Sequence, residues 1–234
     1  MPRRAHALAA LALLVLAAPA ATAGTADIAV AGTRVTVPVR SLQELRYSRL
    51  VRQTWDASCG AAALSTLLTY HMDRPVGELT VATWILRGVD PQRVRARGGF
   101  SLLDLKRFAE AIGYRAEGYG GMTLDELAEL RAPAIVPVRI HGLDHFVVMR
   151  GFLGGRVLLG DPAFGNITMP QQQFEKLWKG GIAFLVFDGN AAEPRANLLT
   201  PEIADLRVPD LPAVGRLLRG AGPAPLTRGH PGVP

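Results

Sequence analysis

The stretch HFVVMRGFLGGRVLLGDP, residues 145–162, decides how this chain folds. Two apolar runs flank Gly154-Gly155, the pattern of strand, tight connection and strand. Alternation puts His145, Val147 and Met149 on one face of the first strand. The face that Asp161 joins depends on the connection. A two-residue turn at Gly154-Gly155 sets Asp161 opposite Val148, away from His145. A three-residue loop, Leu153 to Gly155, sets it opposite Val147 and diagonal to His145, about 7–8 Å away between backbones. Three-residue loops want a glycine in the left-handed position and two are present, so the three-residue register is expected.

Outward from this hairpin, AIVPVRI (134–140) and IAFLVFD (182–188) also read as strands, with a helix around 171–178 before the last of them. A short helix over 124–130 is capped by Thr123 with Glu126 at the reciprocal position. The preceding half is helical, over 60–71, 77–87 and 102–112. Ser101 and Asp104 have cap spacing for the third of these, and Gly113 is its stop. Helices first and strands second predict an α+β domain, an N-terminal helical layer packed on a C-terminal, mostly antiparallel β-sheet. Before it, TRVTVPV (33–39) alternates like a strand, and Pro38 places it at an edge. There is no internal repeat.

The ends read differently. Arg3 and Arg4, an apolar run from Ala7 to Ala21 and the small residues Ala21-Thr22-Ala23 predict a signal peptide over 1–23. About 15 apolar residues interrupted by Pro19 fall short of the roughly 20 that a bilayer span needs. The expected organisation is therefore signal peptide 1–23, N-terminal extension 24–41, compact domain 42–188 and a flexible Pro- and Gly-rich tail 189–234. The mature chain is expected to be soluble and exported, periplasmic or secreted, without a membrane span. The formal charge of +6 falls to +4 without Arg3 and Arg4. The remaining positive charge is scattered, densest at Arg93, Arg95 and Arg97, with no interleaved aromatics, which excludes a nucleic-acid groove.

One cysteine stands in 234 residues, Cys59, within RQTWDASCGAAALSTLLTY (52–70). Exported proteins use cysteines in pairs, and one thiol cannot staple the chain to itself. Free cysteines are most often small buried hydrophobes. Here, however, a helix is expected to begin near Cys59, capped by Asp56 or Ser58. That start sets the sulfur beside unpaired N–H groups and the positive end of the helix dipole, a position that favours thiolate. Gly60 and Ala61 to Ala63 keep the first turn thin, so another backbone can approach.

A thiolate that attacks an amide needs a base, a group to orient the base and donors for the oxyanion. His6 leaves with the signal, His230 lies in the tail and His71 is three turns along the helix. His141 and His145 remain, and His145 is the one that shares a face with Asp161. A metal site at His141, Asp144 and His145 is the competing idea, but two histidines at i, i+4 converge on a helix and this segment reads as turn and strand. Gln53, six residues before Cys59, is readable either as a side-chain oxyanion donor beside the Cys59 N–H or as a solvated turn residue.

These residues resemble the papain-like double-glycine cysteine peptidases that mature bacteriocin precursors. The likeness lies in Gln53, its spacing to Cys59-Gly60 and the Ala-rich helix, His145-Phe146-Val147-Val148, and Asp161-Pro162, and it spans roughly 45–188. The resemblance implies a papain-like fold, Cys59 as nucleophile, His145 as general base and acid, Asp161 as orienting residue and Gln53 as oxyanion donor. It also implies cleavage after Gly-Gly in a narrow cleft, a peptide or protein substrate, and no metal or other cofactor. Many members carry an acidic residue just before the cysteine, where this chain has Ser58. Many are the N-terminal domain of exporters with membrane-spanning and ATP-binding parts. This chain looks more like the free-standing, exported branch, some of whose members accompany secretion of fibre-forming proteins, so secretion-system components are expected partners. The alternative is a non-catalytic binding or chaperone-like accessory of a secretion system on the same fold.

Overall fold

The computed structural model describes residues 24–30, 33–39, 41–140, 142–188 and 197–207. The expected signal peptide lies outside them, as do 189–196 and 208–234. The chain divides into two units between Ser41 and Leu42. The small unit holds an antiparallel hairpin, β1 (Gly24–Val30) and β2 (Thr33–Val39), so the expected strand at 33–39 has a partner that its sequence did not announce.

The large unit opens with α1 (Leu42–Arg46), then α2 (Cys59–Tyr70), α3 (Glu78–Gly88), α4 (Pro91–Arg97) and α5 (Leu102–Ala111). The strands follow: β3 (Tyr114–Tyr119), β4 (Ala134–Ile140), β5 (Leu143–Leu153), β6 (Arg156–Asp161), β7 (Gly165–Pro170) and β8 (Ala183–Asp188). Helices α6 (Leu124–Glu129) and α7 (Gln171–Leu177) interrupt them. The sheet runs β3-β8-β4-β5-β6-β7, with every pairing antiparallel. This is the expected α+β architecture. Both sheet faces are covered: Leu64, Leu67, Leu105 and Phe108 of the helical layer close on Ile135, Val148 and Phe184. Phe174, Trp178 and Leu127 close on Val136, Val147, Leu159 and Ile167 from the other side. Local signals set several ends. Ser101 with Asp104, and Thr123 with Glu126, form complete capping boxes at α5 and α6.

The central hairpin reaches the expected outcome by a different device. Leu153 pairs with Arg156, so the turn is the two-residue Gly154-Gly155, both glycines in the left-handed region at φ 57° and 73°. The three-residue loop is therefore not formed. Instead the register shifts between Met149 and Gly151, a β-bulge that adds one residue to β5. Val148 then pairs with Gly160, and one step further Asp161 falls level with Val147, on the His145 face.

The bulge places Arg150 where it is 4% exposed. Its guanidinium donates to both carboxylate oxygens of Asp205, at 3.1 and 2.9 Å, and to the Leu199 carbonyl at 3.1 Å. Arg49 adds a second contact to Asp205 at 2.9 Å. Residues 197–207 thus correct the expectation of a flexible tail beginning at 189. Leu199 is fully buried, Ile203–Arg207 forms a 3-10 helix, and Pro201 lies so close to Gly151 that a Cβ there would stand 2.7 Å from its ring. Asp205, paired with both Arg150 and Arg49, anchors the segment, and apolar periodicity carries no trace of it. Replacing Asp205 by alanine leaves Arg150 buried and uncompensated, which is expected to lower stability by about 3–5 kcal/mol in urea unfolding. A change under about 1 kcal/mol would mean that the segment is not held in this way.

Candidate active site

Helix α2 begins at Cys59, which is buried and disulfide-free. Ser58 is its N-cap residue, but its hydroxyl makes no cap bond and turns elsewhere, so neither Asp56 nor Ser58 caps by side chain as expected. The thin first turn has a structural use. A Cβ on Gly60 would stand 3.4 Å from both Leu105 and Phe146, so the start of α2 lodges against the neighbour of His145.

His145 lies on β5, and its Nε2 is 2.8 Å from Asp161 Oδ1. Asp161 ends β6 wholly buried. Its Oδ1 also accepts the backbone N–H groups of Ala163, at 2.8 Å, and Phe164, at 3.0 Å. An oxygen holding two N–H donors is an acceptor, so Nε2 carries the hydrogen and Nδ1 is the ring nitrogen left for the thiol. Burial pulls the imidazole pKa down. Hydrogen bonds to Asp161 and Cys59 and their negative charges outweigh it and raise the pKa to about 10. The imidazole thus bonds the carboxylate directly while the start of α2 packs beside it through Gly60 and Phe146, which brings together residues up to about a hundred positions apart.

Gln53 joins them through its backbone, its N–H donating to the Pro162 carbonyl at 3.0 Å. Its side-chain Nε2 donates to Trp55 O at 3.2 Å, inside its own loop, and Oε1 is buried without a partner among the described residues. His141, His6 and His230 lie outside the described residues. His71 ends α2 away from this group; burial lowers its pKa against a hydrogen bond with Asn197. Asp144 is engaged by Arg139 at 2.8 Å and Lys179 at 2.6 Å, and these bonds hold its carboxyl at about 2.

Two residues at the site carried no signal in the sequence. Arg46 Nε donates to the Phe164 carbonyl and Tyr47 Oη to the Ala163 carbonyl, the latter at 2.7 Å. With Gln53 on Pro162, three successive carbonyls of the turn after Asp161 are held by the segment 46–53. Only the three-dimensional fold joins segments more than a hundred residues apart.

The peptidase C39 family model matches residues 48–190, which takes in every one of these groups beyond Arg46 and Tyr47. The chain belongs to the peptidase C39 family. It is accordingly a cysteine peptidase, a hydrolase acting on peptide bonds. Two relatives bear the name "Probable functional amyloid protease FapD". The one from Pseudomonas aeruginosa is 42% identical over 170 residues, covering 73% of this chain and 74% of its own length. The one from Pseudomonas fluorescens is 39% identical with the same coverage. Among solved structures, the peptidase domain of Streptococcus ComA, a bi-functional ABC transporter involved in quorum sensing, is 23% identical. It covers 59% of this chain and 96% of its own, with a TM-score of 0.49. Among the described residues of this C39 chain, no helix is long and apolar enough to cross a membrane.

Proposed function

We propose that this C39 peptidase cuts exported polypeptides after small residues, with Gly-Gly as the preferred site, through a Cys59, His145 and Asp161 triad. The observation that carries the reading is the 2.8 Å bond of His145 Nε2 to the buried Asp161, beside the helix start that carries Cys59. The Cys59 thiolate attacks the scissile carbonyl carbon. The resulting oxyanion is received by the Cys59 N–H and the Gln53 amide. The imidazolium of His145 gives its proton to the leaving amine nitrogen as the C–N bond breaks, leaving a thioester. Water then attacks the thioester while His145 takes its proton, and the acid departs as thiolate reforms. Asp161 holds the ring in orientation and stabilises its charged form.

The names of the FapD relatives support an amyloid-forming substrate. The residues at 1–23 support export, and a secretion system would then supply the partner proteins. Incubating the protein with peptides containing one Gly-Gly step, and reading the products by mass spectrometry, tests the reaction. Cleavage after Gly-Gly that iodoacetamide treatment abolishes is expected, and undiminished cleavage after alkylation sinks the mechanism.

The pH dependence follows from the raised pKa. His145 must stay protonated to serve as acid, so kcat/KM is expected to rise as the ion pair forms, hold through neutral pH and fall as His145 deprotonates near pH 10. A rate that keeps climbing above pH 10 contradicts the assignment.

A further inference from the structure

The loop from Gln53 to Cys59 carries both oxyanion donors at its two ends, yet it is built from irregular backbone. What fixes it is Glu78, the first residue of α3, which is 6% exposed. One carboxylate gathers three donors of this loop. The Thr54 N–H lies at 3.0 and 3.1 Å from its two oxygens, the Thr54 hydroxyl donates to Oε2 at 2.6 Å, and the Ser58 hydroxyl contacts Oε1. Ser58 Oγ is also 2.7 Å from the Trp55 carbonyl, which in turn receives the Gln53 amide. A buried carboxylate is tolerated at this point because it stands at the positive end of α3 and is fully hydrogen-bonded.

We propose that Glu78 is a positioning residue for the oxyanion site: it braces residue 54 against residue 58 and so sets the separation of the Gln53 amide from the Cys59 N–H. This rests on the roles assigned to Cys59 and Gln53 above. The residue directly before Cys59 is Ser58, and the carboxylate reaches its loop from α3. The brace acts on geometry. Its hydrogen bonds go to Thr54 and Ser58 and none to His145 or Asp161, so the orientation of the imidazole is independent of it.

The test compares wild type, Glu78→Ala, Glu78→Gln, Gln53→Ala and the Gln53→Ala/Glu78→Ala double variant on a Gly-Gly aminomethylcoumarin peptide. Each is also followed by the rate of iodoacetamide alkylation against pH. Alkylation needs the thiolate but no oxyanion site. Glu78→Ala is expected to lower kcat about 10- to 100-fold with KM within about threefold, the scale of a misplaced donor. Alkylation at a pH where the thiol is fully ionised should keep its rate within about threefold. Glu78→Gln, which keeps one acceptor for the Thr54 N–H and preserves volume, should fall between and serves if the alanine variant does not fold. In the Gln53→Ala background the loss from Glu78→Ala should largely vanish, since the donor it positions is gone. Additive losses, alkylation that falls in step with turnover, or unchanged kcat in both Glu78 variants would each overturn the role of Glu78. A wild-type protein whose thiol is alkylated but which does not cut the peptide overturns the functional reading instead, so the two failures are distinguishable.

Discussion

Replacing Cys59 with alanine is expected to reduce peptide cleavage by about 100,000-fold or more, because loss of a nucleophile costs as much as loss of the whole catalytic unit. The fold should survive. Cys59 is 7% exposed at the head of a helix already rich in alanine, Ala61 to Ala63 all being fully buried, so the smaller side chain costs about 1 kcal/mol. A thermal melt within a few degrees of wild type together with undetectable turnover is the expected pair of results. Turnover within tenfold of wild type would show that the thiol is a core residue and that the peptidase reaction uses another nucleophile.

The second large effect concerns Asp161. Asparagine there is expected to lower kcat by about 10,000-fold, the scale found when the orienting acid of a triad becomes neutral. The three bonds to Oδ1 come from His145 Nε2, Ala163 N–H and Phe164 N–H, and Asp161 Oδ2 is buried without a partner among the described residues. An asparagine that keeps its oxygen toward the two backbone donors turns its amide hydrogens into that unpartnered space. One that reverses the amide abandons the turn. Either way the ring loses a negative neighbour, and the alkaline fall in activity should move from near pH 10 toward lower pH. The same linkage governs stability. The imidazole has an ordinary value of 6.5 and is raised on folding, so its contribution is complete below pH 6.5 and is lost as pH climbs from there through 10. The Asp161→Asn protein should show a flatter dependence of unfolding free energy over that interval. An unshifted alkaline limb would mean that Asp161 does not control the ring.

Where sequence reading succeeded and where it stopped have physical causes. The helices at 102–111 and 124–129 announce themselves because their capping boxes are local, and the one at 59–70 because its run of Ala and Leu is. The pairing of His145 with Asp161 was visible for a similar reason: both lie in one hairpin, where face and register can be counted. Even there the turn was assigned one residue too many, since the extra residue sits in the strand at Arg150 and a bulge leaves no mark in an alternating pattern. Strands β3 and β7 were not read. Tyr114–Tyr119 is a half-exposed edge with Arg115 and Glu117, and Gly165–Pro170 is buried on nearly every residue, so neither alternates. The short α1 and α4 offer too few turns for periodicity. The supports of the site were least legible, because Tyr47, Arg46 and Glu78 act on residues 116, 118 and 20 or more positions away through one or two polar atoms each.

The clasp of residues 46–53 on the turn after Asp161 has a consequence for the timing of activity. The residues proposed as nucleophile, base and orienting group stand at 59, 145 and 161, and the carbonyls at 162–164 are secured from upstream of all three. A partly made chain therefore lacks the joined His145 and Asp161. Assembly of the site therefore waits on the closure of strands that are made last.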